Sequence, residues 1–221
     1  MSNLEFNLAI NPERRLPLLL LLDTSGSMTE EGRIEQLNDG VRACYADIAA
    51  DPVARRRVDI AVITFGGEAR LLQDFANCDT VSPPSLVADG GTPMGAAILL
   101  ALDHVAERKR LLKGSVGYYK PLIVLMTDGE PTDACDVASR RVREGAASGA
   151  FTFFAVGVGE GARMEKLAQI APADVPPRPL AGANIREFLK WVSGSACRIS
   201  RAKPNEPVAL APTDAWSKVS S

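Results

Sequence analysis

The stretch Leu18-Leu19-Leu20-Leu21-Leu22-Asp23-Thr24-Ser25-Gly26-Ser27 decides the fold. Five successive leucines show no alternation of apolar and polar positions, so the segment must be covered on both faces. Pro17 before it and Ser25-Gly26 after it keep the run short. A short apolar run between turn residues predicts a strand over residues 18–23, buried within a parallel sheet.

The same reading extends outward. Ile34, Leu37, Val41, Cys44 and Ile48 recur at helical spacing, and Asp51-Pro52 ends that helix. A second strand is expected over residues 58–65. Gly66-Gly67 then turns the chain into residues 68–75, which makes the third strand antiparallel and places it at an edge. Further on, the pattern predicts helices over residues 93–112, 133–147, 163–170 and 185–197, with strands over 122–127 and 151–157. Residues 1–14 read as a lead-in and 15–199 as one domain. Residues 200–221, with Pro204, Pro207 and Pro212, read as an extended tail, in which Trp216 is a candidate anchor. No internal repeat and no second domain is visible.

Strands alternating with helices imply an α/β fold with a doubly wound, mostly parallel sheet covered on both faces. In such sheets sites form beyond the carboxyl ends of the strands, where the strand order reverses. The loops after Asp23, Thr127 and Gly157 are therefore the places to look for chemistry.

Composition narrows the function classes. With 221 residues the chain can bury the core of one large domain, and 46% apolar with 24% charged residues is ordinary for a soluble globular protein. A net charge of −2 gives no electrostatic case for nucleic acid or for an anionic membrane. The run Leu16–Leu22 is far short of the ~20 residues a bilayer span needs. The start, Met1-Ser2-Asn3-Leu4-Glu5, lacks the basic residues and apolar stretch of a secretory signal. Cys44, Cys78, Cys135 and Cys197 are scattered without metal-like spacing, as expected of reduced, packed thiols. The expectation is a cytoplasmic protein.

Three separated pieces carry oxygen-bearing side chains: Asp23-Thr24-Ser25-Gly26-Ser27, Gly90-Gly91-Thr92-Pro93 and Thr127-Asp128-Gly129. Each has a bland explanation. The first could be a simple turn, Thr92-Pro93 a helix cap with proline at the first helical position, and Asp128-Gly129 an ordinary turn dipeptide. Together they fit one task. Two pieces leave the carboxyl ends of central strands and the third opens a helix on the same side. Mg²⁺ is a hard cation that takes about six oxygens and keeps several waters. Ser25, Ser27 and Thr92 supply neutral hydroxyls, while Asp23 and Asp128 can hold metal-bound water and orient the hydroxyls. Neutral oxygens in direct contact quench the ion's charge only partly, so a carboxylate from outside is drawn to an open position.

The pattern DxSxS at Asp23, Ser25 and Ser27, followed by Thr92 and by Asp128 in TDG, resembles the metal-ion-dependent adhesion site of von Willebrand factor A domains. The resemblance implies a sheet ordered 3-2-1-4-5-6. It also implies direct ligation of Mg²⁺ (Mn²⁺ or Ca²⁺ as substitutes) by Ser25, Ser27 and Thr92, with Asp23 and Asp128 acting through water. A partner protein would complete the shell with an Asp or Glu. The Arg15-Leu16-Pro17 lead-in, Asp51-Pro52, Val62-Ile63-Thr64-Phe65 and Gly91-Thr92-Pro93-Met94-Gly95 are similar to the compact bacterial TerY and YegL branch. That branch implies a tellurite-resistance, stress-response or defence setting, beside a protein kinase and a PP2C-like phosphatase. The cysteine-rich extension of longer TerY proteins is missing from this sequence.

Enzyme alternatives fare worse. A haloacid-dehalogenase-type phosphohydrolase using Asp23 and Asp128 needs a second Asp where Ser25 stands. No Gly-Lys pair is available for a phosphate loop, and no GxSxG motif for a serine hydrolase. The single histidine, His104, reads as a solvated residue on a polar helix face with Glu107 and Arg108. A scaffold with an idle metal site is the third reading. Finally, Arg55-Arg56-Arg57 and Arg108-Lys109-Arg110, with Lys113, Lys120, Tyr118 and Tyr119, form a candidate basic surface for a second, acidic partner; solvated loop charge is the plainer explanation.

Overall fold

The computed structural model describes residues 11–159, 161–180, 184–203 and 210. The chain runs β1 (Leu16–Asp23), α1 (Arg33–Ala50), β2 (Val58–Gly66), β3 (Glu68–Asn77), α2 (Met94–Lys113), β4 (Leu122–Thr127), α3 (Asp136–Ala147), β5 (Thr152–Val158), α4 (Met164–Ile170), β6 (Arg178–Leu180) and α5 (Ile185–Arg201). A 3-10 segment, Gly26–Gly32, precedes α1, and a single helical turn, Ala54–Arg57, precedes β2.

The leucine run is the middle of one six-stranded sheet ordered β3-β2-β1-β4-β5-β6. Only β3 is antiparallel, to β2; the other pairings are parallel. The two faces follow the two-residue period of a strand. Leu18, Leu20 and Leu22 pack with Leu37 and Val41 of α1 and Phe188 and Val192 of α5. Leu19 and Leu21 pack with Ile98 of α2, Val142 of α3 and Leu167 of α4. All five leucines are fully buried, each contributing about 1.5–3 kcal/mol. Pro17 belongs to β1 as well. It pairs with Asp59 of β2, and pairing to β4 begins only at Leu18, so its missing N–H interrupts no ladder on that side.

Several expectations are corrected. Arg108 is not on a polar face: it lies in the buried stripe of α2, its Nη2 2.5 Å from Asp59 Oδ2. Arg15 is buried on the other side of Asp59, with Nη1 3.8 Å from Oδ1, and donates to the carbonyls of Arg56 and Asn11 and to Asn77 Oδ1. A buried Asp between two guanidiniums ties β2, β3 and α2 at the end of the sheet opposite the candidate site. Arg57 is also used internally, bonding Glu13, the Tyr119 hydroxyl and the Ser200 carbonyl. Lys109 donates to the Ala150 carbonyl and sits over the Tyr118 ring. Arg57, Arg108 and Lys109 thus have internal roles, whereas Arg55, Arg56, Arg110, Lys113 and Lys120 are exposed.

His104 is not simply solvated either. Its ring stacks on Phe75 at 5.0 Å, and Nε2 lies 2.8 Å from Asp74 Oδ1. The last helix continues past Cys197 to Arg201, while residues 204–209 and 211–221, including Trp216, lie outside the described residues. The four cysteines are unpaired thiols. Burial pushes Cys78 up to about 12, Cys135 and Cys197 up to about 11, and Cys44 well above its ordinary value. No helix among the described residues is long and apolar enough to cross a membrane.

Candidate metal centre

β1 ends at Asp23, opposite Phe65 of β2 and next to β4, so its side chain emerges at the carboxyl end of the sheet. The carboxylate is fully buried. Its Oδ1 accepts the Ser25 N–H at 2.8 Å, which folds the chain back on itself, and its Oδ2 accepts the Thr127 hydroxyl at 2.5 Å. The turn brings Ser25 Oγ to 3.0 Å from Ser27 Oγ. Ser27 in turn donates to Asp128 Oδ1 at 2.7 Å, across 101 positions of sequence.

Thr92 arrives by a different route, which depends on glycine. Gly90 has φ +70°, and a Cβ there would lie 2.5 Å from Gly67 Cα. This bare contact lets three loops hydrogen-bond through their backbones. Gly26 N–H donates to Gly90 O, Gly67 N–H to Gly91 O, and Asp89 N–H to Thr24 O, at 2.8–2.9 Å. The Thr92 N–H donates to Thr132 Oγ1 and its carbonyl accepts from Thr132 N–H, which locks it to the loop after β4. The Cβ position of Gly129 lies 3.6 Å from Thr92 Oγ1 and 3.9 Å from Ser27 Oγ, so the two hydroxyls flank one point.

The bland reading of Thr92 as a helix cap is corrected. α2 starts at Met94, and the Asp133 carboxylate caps it by accepting from Gly95 N–H at 2.9 Å and Ala96 N–H at 2.8 Å. Capping by Asp133 explains why α3 starts at Asp136 and not at 133.

The electrostatics centre on two buried carboxylates. Burial raises the Asp23 pKa, with the nearby Asp128 charge adding to it, against hydrogen bonds from Ser25 and Thr127. Asp128, 2% exposed, is partnered on its outer oxygen by Arg33, whose Nη1 lies 2.9 Å from Oδ2. Burial alone would lower the Arg33 pKa, but bonds to Asp128 and Glu31 outweigh it and the net shift is upward. The loop after β5 contributes a wall beside the arginine: at Gly159 (φ +69°) a Cβ would lie 3.0 Å from Arg33 Nη2.

All five expected residues therefore lie at one end of the sheet. Asp23, Ser25, Ser27 and Asp128 form one hydrogen-bonded chain, and Thr92 is held beside it. Three hydroxyls and two carboxylates within short reach suit a hard divalent cation. Among the described residues no group of three or more His, Cys, Asp or Glu could hold a metal.

The model of the von Willebrand factor type A domain matches residues 18–180. The chain belongs to this family. Among solved structures, VWA2, the ArnB paralog of Sulfolobus acidocaldarius, is 17% identical with a TM-score of 0.56, covering 82% of this chain and 45% of that one. Manganese-loaded TRAP of Plasmodium vivax is 18% identical with a TM-score of 0.54, covering 80% and 72%. Proximal thread matrix protein 1 of the mussel byssus, with a zinc-occupied MIDAS motif, is 20% identical with a TM-score of 0.58, covering 84% and 48%. This chain spans about half the length of VWA2 and of the mussel protein. No curated protein sequence matches it.

Within this von Willebrand factor A domain, the sequence reading missed Arg33, Thr127, Thr132 and the capping role of Asp133. Arg33 left a signal. It lies four residues before Leu37 and extends the stripe Leu37-Val41-Cys44-Ile48 by one turn, so a charged residue stands on the inward face. Thr132 and Asp133 left none, because their partners lie about 40 positions away.

Proposed function

We propose that this domain binds a divalent cation, Mg²⁺ first, through Ser25, Ser27 and Thr92, and recruits an acidic side chain of a partner protein to it. Mn²⁺ and Ca²⁺ suit the same oxygen set. The observation that carries the reading is the run of short contacts Ser25–Ser27–Asp128, which gathers the loops after β1 and β4 at one point. The Mn²⁺ of TRAP and the Zn²⁺ of the mussel protein support a divalent metal here.

Each residue has a distinct task. Ser25 and Ser27 offer hydroxyl oxygens fixed by the turn that Asp23 closes, and Thr92 offers a third from across the glycine contact. Asp128 orients Ser27, and both carboxylates supply negative charge without being exposed. The bound cation would polarise and hold an incoming carboxylate. Asp23 is a poor nucleophile in this setting. Both its oxygens accept hydrogen bonds and none of its surface is open, which supports an adhesive role over phosphohydrolysis. We further place the domain in the cytoplasm, in a TerY-like stress-response or defence system with a kinase and a PP2C-like phosphatase; this part rests on sequence resemblance.

The test is affinity capture from the host with wild type and Ser25→Ala, each with and without EDTA, beside hydrolysis of a generic phosphate ester. Capture lost under chelation and in the variant supports the adhesive module. Ester hydrolysis lost in Asp23→Ala would move the protein to the phosphohydrolases, and capture that survives both changes would make it a scaffold with an idle site.

A further inference from the structure

Arg33 is the first residue of α1, yet its side chain is only 11% exposed and reaches a carboxylate 95 positions away. Three features build a place for it. Nη1 meets Asp128 Oδ2 at 2.9 Å, Nη2 meets Glu31 Oε2 at 3.0 Å, and the loop after β5 passes close beside the guanidinium, a Cβ at Gly159 lying 3.0 Å from Nη2. Glu31 is itself held in an unusual state. Among the described residues it is the one non-glycine with positive φ, at 53°, and Gln36 Nε2 bonds its carbonyl at 3.2 Å. A packing role alone would call for neither the planar fork nor the bonded left-handed residue.

Charge shows what the arrangement does. Asp23 and Asp128 are buried carboxylates, each counting as one negative charge when ionised, while Glu30 and Glu31 are 68% and 72% exposed and screened by water. Arg33 is the positive group in contact with Asp128. The buried set of Asp23, Asp128 and Arg33 sums to one negative charge, so a divalent cation leaves it with one positive charge. Without the arginine the loaded set would be neutral, and a partner's carboxylate would be drawn to the cation less strongly.

We infer that Arg33 is the charge-setting residue of this centre: its guanidinium weakens cation binding and, in return, keeps the loaded site positive toward a carboxylate. The inference rests on the metal reading above. Arg33 also holds Asp128 in place, but positioning and charge make opposite predictions. Loss of positioning alone loosens the cation, whereas loss of the charge tightens it.

The experiment is calorimetric titration of Mn²⁺ into wild type, Arg33→Gln and Arg33→Lys, with folding confirmed by thermal melts. Acetate then serves as a carboxylate probe, read by water-proton relaxation of the bound Mn²⁺. Arg33→Gln is expected to bind Mn²⁺ about tenfold tighter and acetate several-fold more weakly, with Arg33→Lys within about threefold of wild type for the metal. Should the glutamine variant unfold, Arg33→Met keeps the aliphatic stem and carries the same expectation. Equal or weaker Mn²⁺ binding by the neutral variants overturns the inference and leaves the metal reading standing. A folded wild type that takes up no Mn²⁺ overturns both.

Discussion

Replacing Asp23 by asparagine separates what the site costs the fold from what it does for binding. The carboxylate is fully buried, and burial raises its pKa, with Asp128 adding to the shift. An acid whose folded pKa is raised binds its proton more tightly in the native state than in the unfolded chain. The stability it contributes is complete below the ordinary value of 3.8 and is lost as pH rises through the folded value. At neutral pH the charge is a net penalty. Asparagine has the same shape, still accepts from the Ser25 N–H, and can donate to the Thr127 hydroxyl. Removing the charge while keeping its hydrogen bonds is expected to stabilise the metal-free protein by about 1–2 kcal/mol. In a domain of this size that is roughly 2–8 °C in Tm. The same change removes a charge that draws the cation. A divalent ion at about 100 times its Kd stabilises the wild type by about 2.7 kcal/mol, and the variant forfeits most of this. The two proteins therefore exchange order: Asp23→Asn melts higher in EDTA, and the wild type melts higher in saturating Mn²⁺. Melts followed by circular dichroism at neutral pH check this, and the variant's advantage in EDTA shrinks toward about pH 4. A variant that melts lower than wild type in EDTA would refute the reasoning, because the carboxylate would then be a stabilising hub.

Gly90→Ala puts a Cβ 2.5 Å from Gly67 Cα at φ +70°, so urea titration is expected to show a loss of about 2–4 kcal/mol, with weaker Mn²⁺ binding as Thr92 shifts. Asp59→Asn strands Arg15 and Arg108 without their carboxylate and is expected to cost about 3–5 kcal/mol in the same assay. Mn²⁺ affinity of the folded fraction stays unchanged, since that cluster is at the opposite end of the sheet. Ser27→Ala, at a half-buried position, changes stability by less than about 1 kcal/mol but lowers Mn²⁺ affinity roughly 10–100-fold by calorimetry.

The sheet was legible because its central strands are unbroken apolar runs that only two-sided burial explains. β6 was not: Arg178-Pro179-Leu180 is three residues long with only Leu180 buried, too little for any periodicity. Arg33 and Arg108 both occupy inward stripes of their helices, and in each case charge masked the periodicity. Their counter-charges, Asp128 and Asp59, are 95 and 49 positions away, and nothing local announces such a pair. Within the candidate site the oxygen donors could be read from the loops that the parallel topology brings together. What holds them could not. The Gly90–Gly67 contact and the Asp133 cap are long-range backbone features, invisible until the loops meet.

Diffraction from crystals soaked in Mn²⁺, measured at a wavelength where manganese scatters anomalously, addresses the metal site most directly. One anomalous peak is expected about 2 Å from Ser25 Oγ, Ser27 Oγ and Thr92 Oγ1, with Asp23 and Asp128 reaching it through water. A peak elsewhere, for instance among Glu130, Asp133 and Asp136, or none at this end of the sheet, would contradict the account.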